Sequence, residues 1–233
     1  MERQTVVLAT YGSSRGNAHS DLMAALKYEL DMLVIETRES SQIDMARSYL
    51  ADTGLSHGAD VVVFIDDDML FDPLDVERLA SVARETHGVV GAPYSQRKMG
   101  AGVVGAIDPG ESGEVIFFEG GGLCPTLGVI GMGFTAIHRH VFELLDGLPN
   151  YAAVNSQEGI MRPYFQKIAV DGFWLKEDAS FCHVARLAGA SLMIDTRIRV
   201  QHLGEHPFEI EDARQRKPAE PSLKLQFKTT ARP

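Results

Sequence analysis

The chain has 233 residues, 45% of them hydrophobic, and a formal net charge of −10 at pH 7. It can bury a substantial core, and we expect one α/β domain because such folds reach this size singly. The negative charge argues against broad binding of nucleic acid or anionic membrane. Two cysteines are too few for a disulfide framework, and we recognise no signal peptide and no membrane span of roughly 18 apolar residues. We therefore expect a soluble, cytoplasmic protein.

The first hundred residues alternate between strand and helix patterns. β-Branched and aromatic runs predict strands over 5–9, 32–35, 61–65 and 89–92. Apolar residues at helical spacing predict helices over 19–30, 42–55 and 74–86. This alternation predicts a mostly parallel central sheet that is flanked by helices and joined by right-handed crossovers.

The second half of the chain is less regular. Residues 100–133 are rich in glycine, and the short apolar stretches 115–118 and 127–130 predict an antiparallel hairpin or meander. Beyond it we predict a helix near 139–145, an irregular segment over 149–172 and a helix that begins at Glu177. Further strands are predicted near 192–194 and 197–201, and a charged, proline-bearing tail follows from about Glu205.

Three aspartates, Asp66, Asp67 and Asp68, follow directly on the apolar strand 61–65. Carboxylates at the carboxyl end of such a strand lie where open α/β sheets bind ligands. On an extended backbone Asp66 and Asp68 would point to one side and could share one cation. Hard oxygen ligands suit Mg²⁺ or Mn²⁺. The alternative is a solvated turn that caps the helix after Pro73, but the apolar character of the strand favours a metal site.

Glu177 and Asp178 form a second acidic pair, in the first turn of a predicted helix. Acids at this position stabilise a helix through its macrodipole, and spacing alone favours that structural role. In the functional alternative, one of the two carboxylates acts as a general base toward an acceptor hydroxyl.

His202 ends the apolar-alternating stretch 198–201 and precedes Leu203 and Gly204. A single histidine is more often a structural hydrogen-bonding residue than a ligand. Imidazole is nevertheless an acceptable ligand of Mn²⁺. The ligand role therefore requires that His202 meet the aspartates in space.

Several short motifs follow one another in a recognisable order over roughly residues 5–204. They are Ala46-Arg47-Ser48, Val63-Phe64-Ile65 before the aspartates, Ala92-Pro93-Tyr94 with Arg97 and Lys98, Gly131-Met132-Gly133-Phe134 before Arg139, Glu177-Asp178 with Phe181-Cys182, and 200–204. Each is weak alone, but their joint order resembles the glycosyltransferases of the GT-A fold. The resemblance implies a Rossmann-like, mostly parallel sheet with a smaller antiparallel region on the acceptor side.

The resemblance also implies a reaction. A sugar would pass from a nucleotide-diphospho-sugar donor, a UDP- or GDP-sugar, to a hydroxyl of a carbohydrate or other acceptor, with Mn²⁺ or Mg²⁺ bridging the two phosphates. By position, Asp66 and Asp68 match the metal-binding Asp-x-Asp pair. His202 matches the late histidine that completes the metal shell in many members. Asp178, with Glu177 beside it, matches the acidic pair that supplies the base in inverting members.

The remaining roles concern the nucleotide and the division of the chain. The resemblance assigns nucleotide and donor contacts to Thr10, Tyr11, Arg47, Asp66, Asp67 and Gly131, and diphosphate contacts to Arg97 or Lys98. We expect one domain over 1–204, with a nucleotide-binding half to about residue 100, an acceptor-side half over 101–204 and a polar tail over 205–233. Homo-oligomerisation is left open.

Two departures and two alternatives accompany this interpretation. Ser48 stands where such relatives usually carry asparagine, and similar Asp-x-Asp frameworks occur in retaining transferases, so the stereochemical outcome is open. A sugar nucleotidyltransferase is an alternative, because residues 9–16 faintly resemble its glycine-rich phosphate loop. The other is a non-catalytic member of the fold that binds a carbohydrate or sugar nucleotide.

Overall fold

The computed structural model describes residues 5–10, 17–37, 42–97, 102–105, 107, 114–126, 128–156, 159–204, 207–213 and 222–226. The α-helices in these ranges are α1 (Asn17–Tyr28), α2 (Ile43–Ser56), α3 (Pro73–Thr86), α4 (Arg139–Asp146) and α5 (Glu177–Leu187). Two short 3₁₀-helices cover Pro149–Tyr151 and Ile210–Ala213. Of the helices described, none combines the length and apolar character needed to cross a membrane.

The strands of the described ranges are mostly short. They are β1 (Thr5–Thr10), β2 (Leu33–Thr37), β3 (Val61–Asp66), β4 (Met69–Leu70), β5 (Val89–Gly91), β6 (Tyr94–Ser95), β7 (Val103–Val104), β8 (Glu114–Phe118), β9 (Leu123–Pro125), β10 (Phe134–His138), β11 (Val154–Ser156), β12 (Gly159–Met161), β13 (Ile168–Val170), β14 (Phe173–Leu175), β15 (Leu192–Asp195), β16 (Gln201–Leu203), β17 (Pro207–Phe208) and β18 (Ser222–Gln226).

Seven strands form the central sheet in the order β2-β1-β3-β10-β5-β15-β9. Strands β2, β1, β3, β5 and β15 run in one direction, whereas β10 and β9 run in the other. Small antiparallel sheets surround this sheet. The predicted fold class, a mostly parallel central sheet flanked by helices with a smaller antiparallel region, is therefore confirmed.

The apolar run of β3 is buried on both faces of the sheet. Val62 and Phe64 pack into a core that contains residues of α2, α4 and α5. Val61, Val63 and Ile65 pack into the opposite core, against α1 and α3. Burial on both faces explains why the strand is uniformly apolar, and it leaves the acids that follow at the carboxyl edge of the sheet.

The glycine-rich middle differs from the predicted meander. Strand β8 forms where the sequence indicated, but its partner is β18 near the C-terminus, with Phe117 opposite Leu223. Residues 128–130 form no strand, and residue 127 lies outside the described ranges. Strand β10, which was not predicted, lies between β3 and β5 in the centre of the sheet.

Two segments beyond residue 148 are more ordered than predicted. The supposedly irregular residues 149–172 contain β11, β12 and β13. The turn between β13 and β14 is Asp171-Gly172, with φ of 50° and 82°. An Asp-Gly turn is a strong hairpin signal, because both residues tolerate positive φ. The strand predicted over 197–201 forms instead at β16, so His202 lies within it and not after it.

The segment after Gly204 is also more than the expected polar tail. Phe208 and Ile210 are buried, β17 pairs with β16, and β18 pairs with β8. Strand β17 is therefore the third strand of the sheet that contains β16 and β4, and β18 forms a two-stranded sheet with β8. The division of the chain into one domain with two functional halves stays a prediction.

Candidate active site

The acidic run lies at the carboxyl edge of the central sheet, where β3 ends at Asp66 opposite Thr10 of β1. Asp67 and Asp68 form a turn before the short strand β4. Because β3 ends at Asp66, strand alternation no longer determines the side to which Asp68 points, and the predicted sharing of one cation loses that support. Asp66 contacts Arg47, whereas Asp68 contacts His202.

Arg47 of α2 connects the end of β3 to the start of α5. Its Nη2 lies 3.0 and 2.9 Å from the two carboxylate oxygens of Asp66, and its Nη1 lies 3.1 Å from Oε1 of Glu177. The Arg47 side chain is only 6% exposed. Burial lowers the pKa of Arg47, but the charges of Asp66 and Glu177 outweigh it and the pKa is raised. Arg47, predicted to contact the nucleotide, thus joins two predicted site carboxylates.

Asp68 and His202 meet because β16 pairs with β4. His202 lies opposite Met69, and the backbone N–H of Leu203 donates to the carbonyl of Asp68 at 2.6 Å. The Nε2 atom of His202 is then 3.2 Å from Oδ2 of Asp68. A ligand role of His202 requires that it meet the aspartates in space, and the structure brings His202 and Asp68 together.

The other ring nitrogen of His202 determines which way the imidazole can act. Nδ1 lies 3.0 Å from the backbone carbonyl of Ser95, which can only accept, so Nδ1 carries the hydrogen of this contact. Nε2, on the opposite side of the ring, faces Oδ2 of Asp68: where it carries a hydrogen it donates to that oxygen, and where it does not its lone pair is available to a metal ion. Metal-binding histidines usually donate their other N–H to a carbonyl or carboxylate in this manner.

The two carboxylate oxygens of Asp68 have different contacts. Oδ2 faces His202 and also lies 3.0 Å from Nη1 of Arg97, whereas the buried Oδ1 accepts no hydrogen bond from another described residue. Burial raises the pKa of Asp68, but the hydrogen bond and charge of His202, with the charge of Arg97, lower the pKa below its ordinary value overall. Asp68 therefore stays ionised at neutral pH, as a metal ligand must.

These residues fit a divalent cation in part. Oδ1 of Asp68, which is buried and has no hydrogen-bond partner in any other described residue, and Nε2 of a neutral His202 are both suitable ligands of Mn²⁺. In the ranges that the structure describes, no three or more His, Cys, Asp or Glu side chains form a metal-binding group. Asp66 is bound to Arg47 and does not join Asp68 and His202. Two protein ligands suffice where substrate phosphates and water complete the shell, which is usual for Mg²⁺.

Tyr94 is a site residue to which the sequence analysis assigned no role. Its ring lies edge-on to His202, with centroids 5.3 Å apart, and its Oη accepts from the N–H of Gly133 at 3.3 Å. A Cβ atom on Gly131 would lie 2.3 Å from this oxygen. Burial, followed by the charge of Asp66, raises the pKa of Tyr94. Gly131, predicted to contact the nucleotide or donor, has no side chain, and the Tyr94 hydroxyl fills the space that a side chain would need.

The two acids at the start of α5, Glu177 and Asp178, have different partners. Glu177 is held by Arg47, whereas Oδ1 of Asp178 accepts from the N–H of Ala179 at 2.7 Å, at the helix start. Among the described residues Asp178 has no cationic partner. Its charge contributes to the raised pKa of Tyr94, after burial and Asp66, so Asp178 belongs to the same neighbourhood. Geometry therefore leaves Asp178 as the freer carboxylate.

Some predicted contacts cannot be placed. Tyr11 and Lys98 lie outside the described residues, and only the backbone of Thr10 is described. Asp67 is half-buried in the turn between Asp66 and Asp68. Their nucleotide roles stay predictions.

Two clefts lie elsewhere on the molecule. One, of about 750 Å³, is lined by residues that include Lys27, Tyr28 and Arg84. The other, of about 310 Å³, lies beside Asp146 and Arg162. Neither contains a residue of the acidic site. The concentration of carboxylates, imidazole and guanidinium groups, and not cleft volume, therefore identifies the candidate site.

The fold is shared with proteins of known structure. A scan of protein-family models and a search of curated proteins found no match to this chain. Among solved structures, it is similar to A197 from STIV, with 16% identity, a TM-score of 0.58 and coverage of 98% of this chain and 97% of that chain. It is also similar to GalNAc-T7, crystallised with UDP, GalNAc and Mn²⁺, with 14% identity and a TM-score of 0.50.

The second match covers 91% of this chain but 45% of the GalNAc-T7 chain, so this chain spans less than half of that protein. At such identities the likeness shows the fold alone. That fold is the GT-A-like arrangement implied by the sequence resemblance.

Proposed function

We propose that this chain is a metal-dependent glycosyltransferase, which moves a sugar from a nucleotide-diphospho-sugar to an acceptor hydroxyl. The observation that carries the proposal is the contact between Asp68 and His202 at the carboxyl edge of a GT-A-like sheet, with Oδ1 of Asp68 left without a described partner. Similarity in fold to a protein crystallised with UDP and Mn²⁺ supports the nature of the ligand.

Each residue would have a separate role. Asp68 and His202 would hold Mn²⁺ or Mg²⁺, which when bound neutralises charge on the leaving diphosphate. Arg97, with the predicted Lys98, would contact the phosphates. Asp178 would take the proton of the acceptor hydroxyl if the reaction inverts, a contribution of roughly 10²–10⁴-fold. Arg47 would hold Asp66 and Glu177 in place.

The test is calorimetric binding of UDP, GDP, CDP and dTDP with and without Mn²⁺. We expect at least one diphosphate to bind only with Mn²⁺, and Asp68→Ala to remove this binding. Glu77→Gln, which alters an exposed acid of α3 that is not among the predicted site residues, is the matched control and should bind like the wild type. Metal-independent binding, or equal affinity in the Asp68 variant, would contradict the proposal.

Turnover separates the remaining alternatives. A transferase hydrolyses its donor slowly when no acceptor is present, whereas a non-catalytic sugar-nucleotide-binding protein of the same fold would bind the donor and leave it intact. Release of pyrophosphate from a nucleoside triphosphate and a sugar phosphate would instead indicate a nucleotidyltransferase. Most of the loop on which that alternative depends, residues 11–16, lies outside the described residues.

A further inference from the structure

Arg97 contacts the carboxylate to which the proposed function assigns the metal. Its Nη1 lies 3.0 Å from Oδ2 of Asp68, the same oxygen that His202 approaches at 3.2 Å. The Arg97 side chain is 56% exposed, whereas that of Asp68 is 23% exposed. The long, largely solvent-exposed side chain of Arg97 thus neutralises the mostly buried carboxylate of Asp68. A bound divalent cation would neutralise the same carboxylate.

We propose that Arg97 is an exchangeable counter-ion, which neutralises Asp68 in the empty site and transfers to the diphosphate of the donor when the metal binds. The inference rests on the proposed function. Exposed ion pairs are weak, so a divalent charge can displace the guanidinium from Asp68. Arginine also binds phosphate through two parallel hydrogen bonds, which gives Arg97 a stronger partner once the diphosphate has arrived.

The exchange has opposite consequences for two ligands. Mn²⁺ alone must displace Arg97 and offers it no new partner, so Arg97 weakens binding of the bare ion. Mn²⁺ together with a nucleoside diphosphate supplies that partner, so Arg97 strengthens binding of the pair. Arg97 therefore makes the site selective for the metal–diphosphate complex over the free metal.

The experiment measures binding of Mn²⁺ alone by the electron paramagnetic resonance signal of the free ion, and binding of UDP or GDP by calorimetric titration in excess Mn²⁺. Arg97→Gln should tighten binding of Mn²⁺ alone roughly two- to fivefold, the strength of an exposed ion pair. The same variant should weaken binding of the diphosphate in the presence of Mn²⁺ about tenfold, the strength of a charged hydrogen bond. Arg97→Lys keeps the charge, so both of its affinities should lie between those of Arg97→Gln and those of the wild type.

Arg78→Gln is the matched control, because it removes a half-exposed arginine from an ion pair with Asp75 outside the site. It should change neither affinity. Weaker or unchanged binding of Mn²⁺ alone by Arg97→Gln, in a protein whose wild type binds Mn²⁺ with a diphosphate, overturns the exchange and leaves the proposed function standing. Absence of Mn²⁺ binding by the wild type and the Arg97 variant alike overturns both.

Discussion

Buried Arg47 and partly buried Asp66 form an ion pair in which one guanidinium nitrogen, Nη2, donates to both carboxylate oxygens at 3.0 and 2.9 Å. The pair joins α2 to the end of β3. Because the second terminal nitrogen of Arg47 reaches Glu177, the start of α5 is held by the same residue. One side chain therefore sets the relative positions of the two acidic segments.

Replacement of Arg47 should destabilise the fold strongly. Arg47→Leu removes the guanidinium from the Asp66 and Glu177 carboxylates, whose side chains are 27% and 13% exposed, so the cost should approach that of a fully buried pair, about 3–5 kcal/mol. Urea denaturation followed by circular dichroism measures the change. Lys167→Gln, which breaks an ion pair with Asp44 in which the lysine is 52% exposed, should cost less than about 1 kcal/mol. A similar small loss for Arg47→Leu would contradict a central role for the Arg47–Asp66 pair.

Asp178→Asn should lower kcat and leave binding intact. An amide cannot accept the acceptor's proton, but the proposed metal ligands are elsewhere, so affinity for Mn²⁺ and diphosphate should stay within about twofold of the wild type. Glu177→Gln is the matched variant, and its main effect should be lower stability through Arg47. Steady-state kinetics on both variants decides: a larger kcat loss for Glu177→Gln would identify the other carboxylate as the base.

His202→Ala should weaken Mn²⁺ binding by about tenfold or more, because the site loses one of two protein ligands. Affinity of the wild type should also fall on acidification, since a metal-bound imidazole must be neutral. The pKa of Asp68 is held below its ordinary value, so Asp68 stays ionised at mildly acidic pH and does not cause this loss of affinity. His140→Ala, at a half-exposed histidine of α4, is the control. Equal Mn²⁺ affinity in both variants would return His202 to a structural role.

Asp75→Asn should stabilise the protein above about pH 6. Burial raises the pKa of Asp75 from 3.8 to about 6, against the opposing charge of Arg78. Between these values the folded chain keeps a proton that the unfolded chain loses, so stability falls as pH rises. The asparagine removes this loss, a gain of roughly 1–3 kcal/mol at pH 8. Thermal unfolding of the variant and the wild type at pH 5 and pH 8 tests the sign. A variant that melts at a lower temperature than the wild type at pH 8 would contradict the prediction.

Gly131→Ala should destabilise the protein by roughly 1–3 kcal/mol, the usual cost of overpacking. The added methyl group would lie 2.3 Å from Oη of Tyr94 and 2.5 Å from Cγ1 of Val104. Gly122→Ala is the control, because its methyl group would meet nothing within 4 Å. Tyr94→Phe in the Gly131→Ala background should recover part of the loss, since it removes the nearest atom. No recovery would indicate that Val104 limits the space.

The sequence predicts the features that depend on one segment. The apolar run of β3, the helical spacing of α2 and α3 and the acids at the end of β3 each follow from residues that are close in the chain. The parallel sheet and the position of Asp68 at its edge could therefore be predicted. The Asp171-Gly172 turn carried a local hairpin signal as well, and the long irregular segment predicted around it obscured that signal.

The features that could not be predicted depend on pairing between distant segments. Strand β10 is central only because it inserts between β3 and β5, and β8 finds its partner more than a hundred residues later, in β18. The partner of Asp66 likewise depends on which face of α2 meets β3. Periodicity shows that Arg47 lies on a helix, but it does not show which carboxylate the side chain reaches.

The pairing of β4 with β16 also fixes when the site can form during synthesis. Asp68 and His202 are 134 residues apart, and all seven strands of the central sheet precede His202 in the chain. Because the ribosome makes the chain from its N-terminus, every strand of that sheet has been translated before the imidazole exists. A nascent chain that ends before residue 202 cannot hold the proposed ion between these two residues, so metal loading is left to a chain that already contains the whole central sheet.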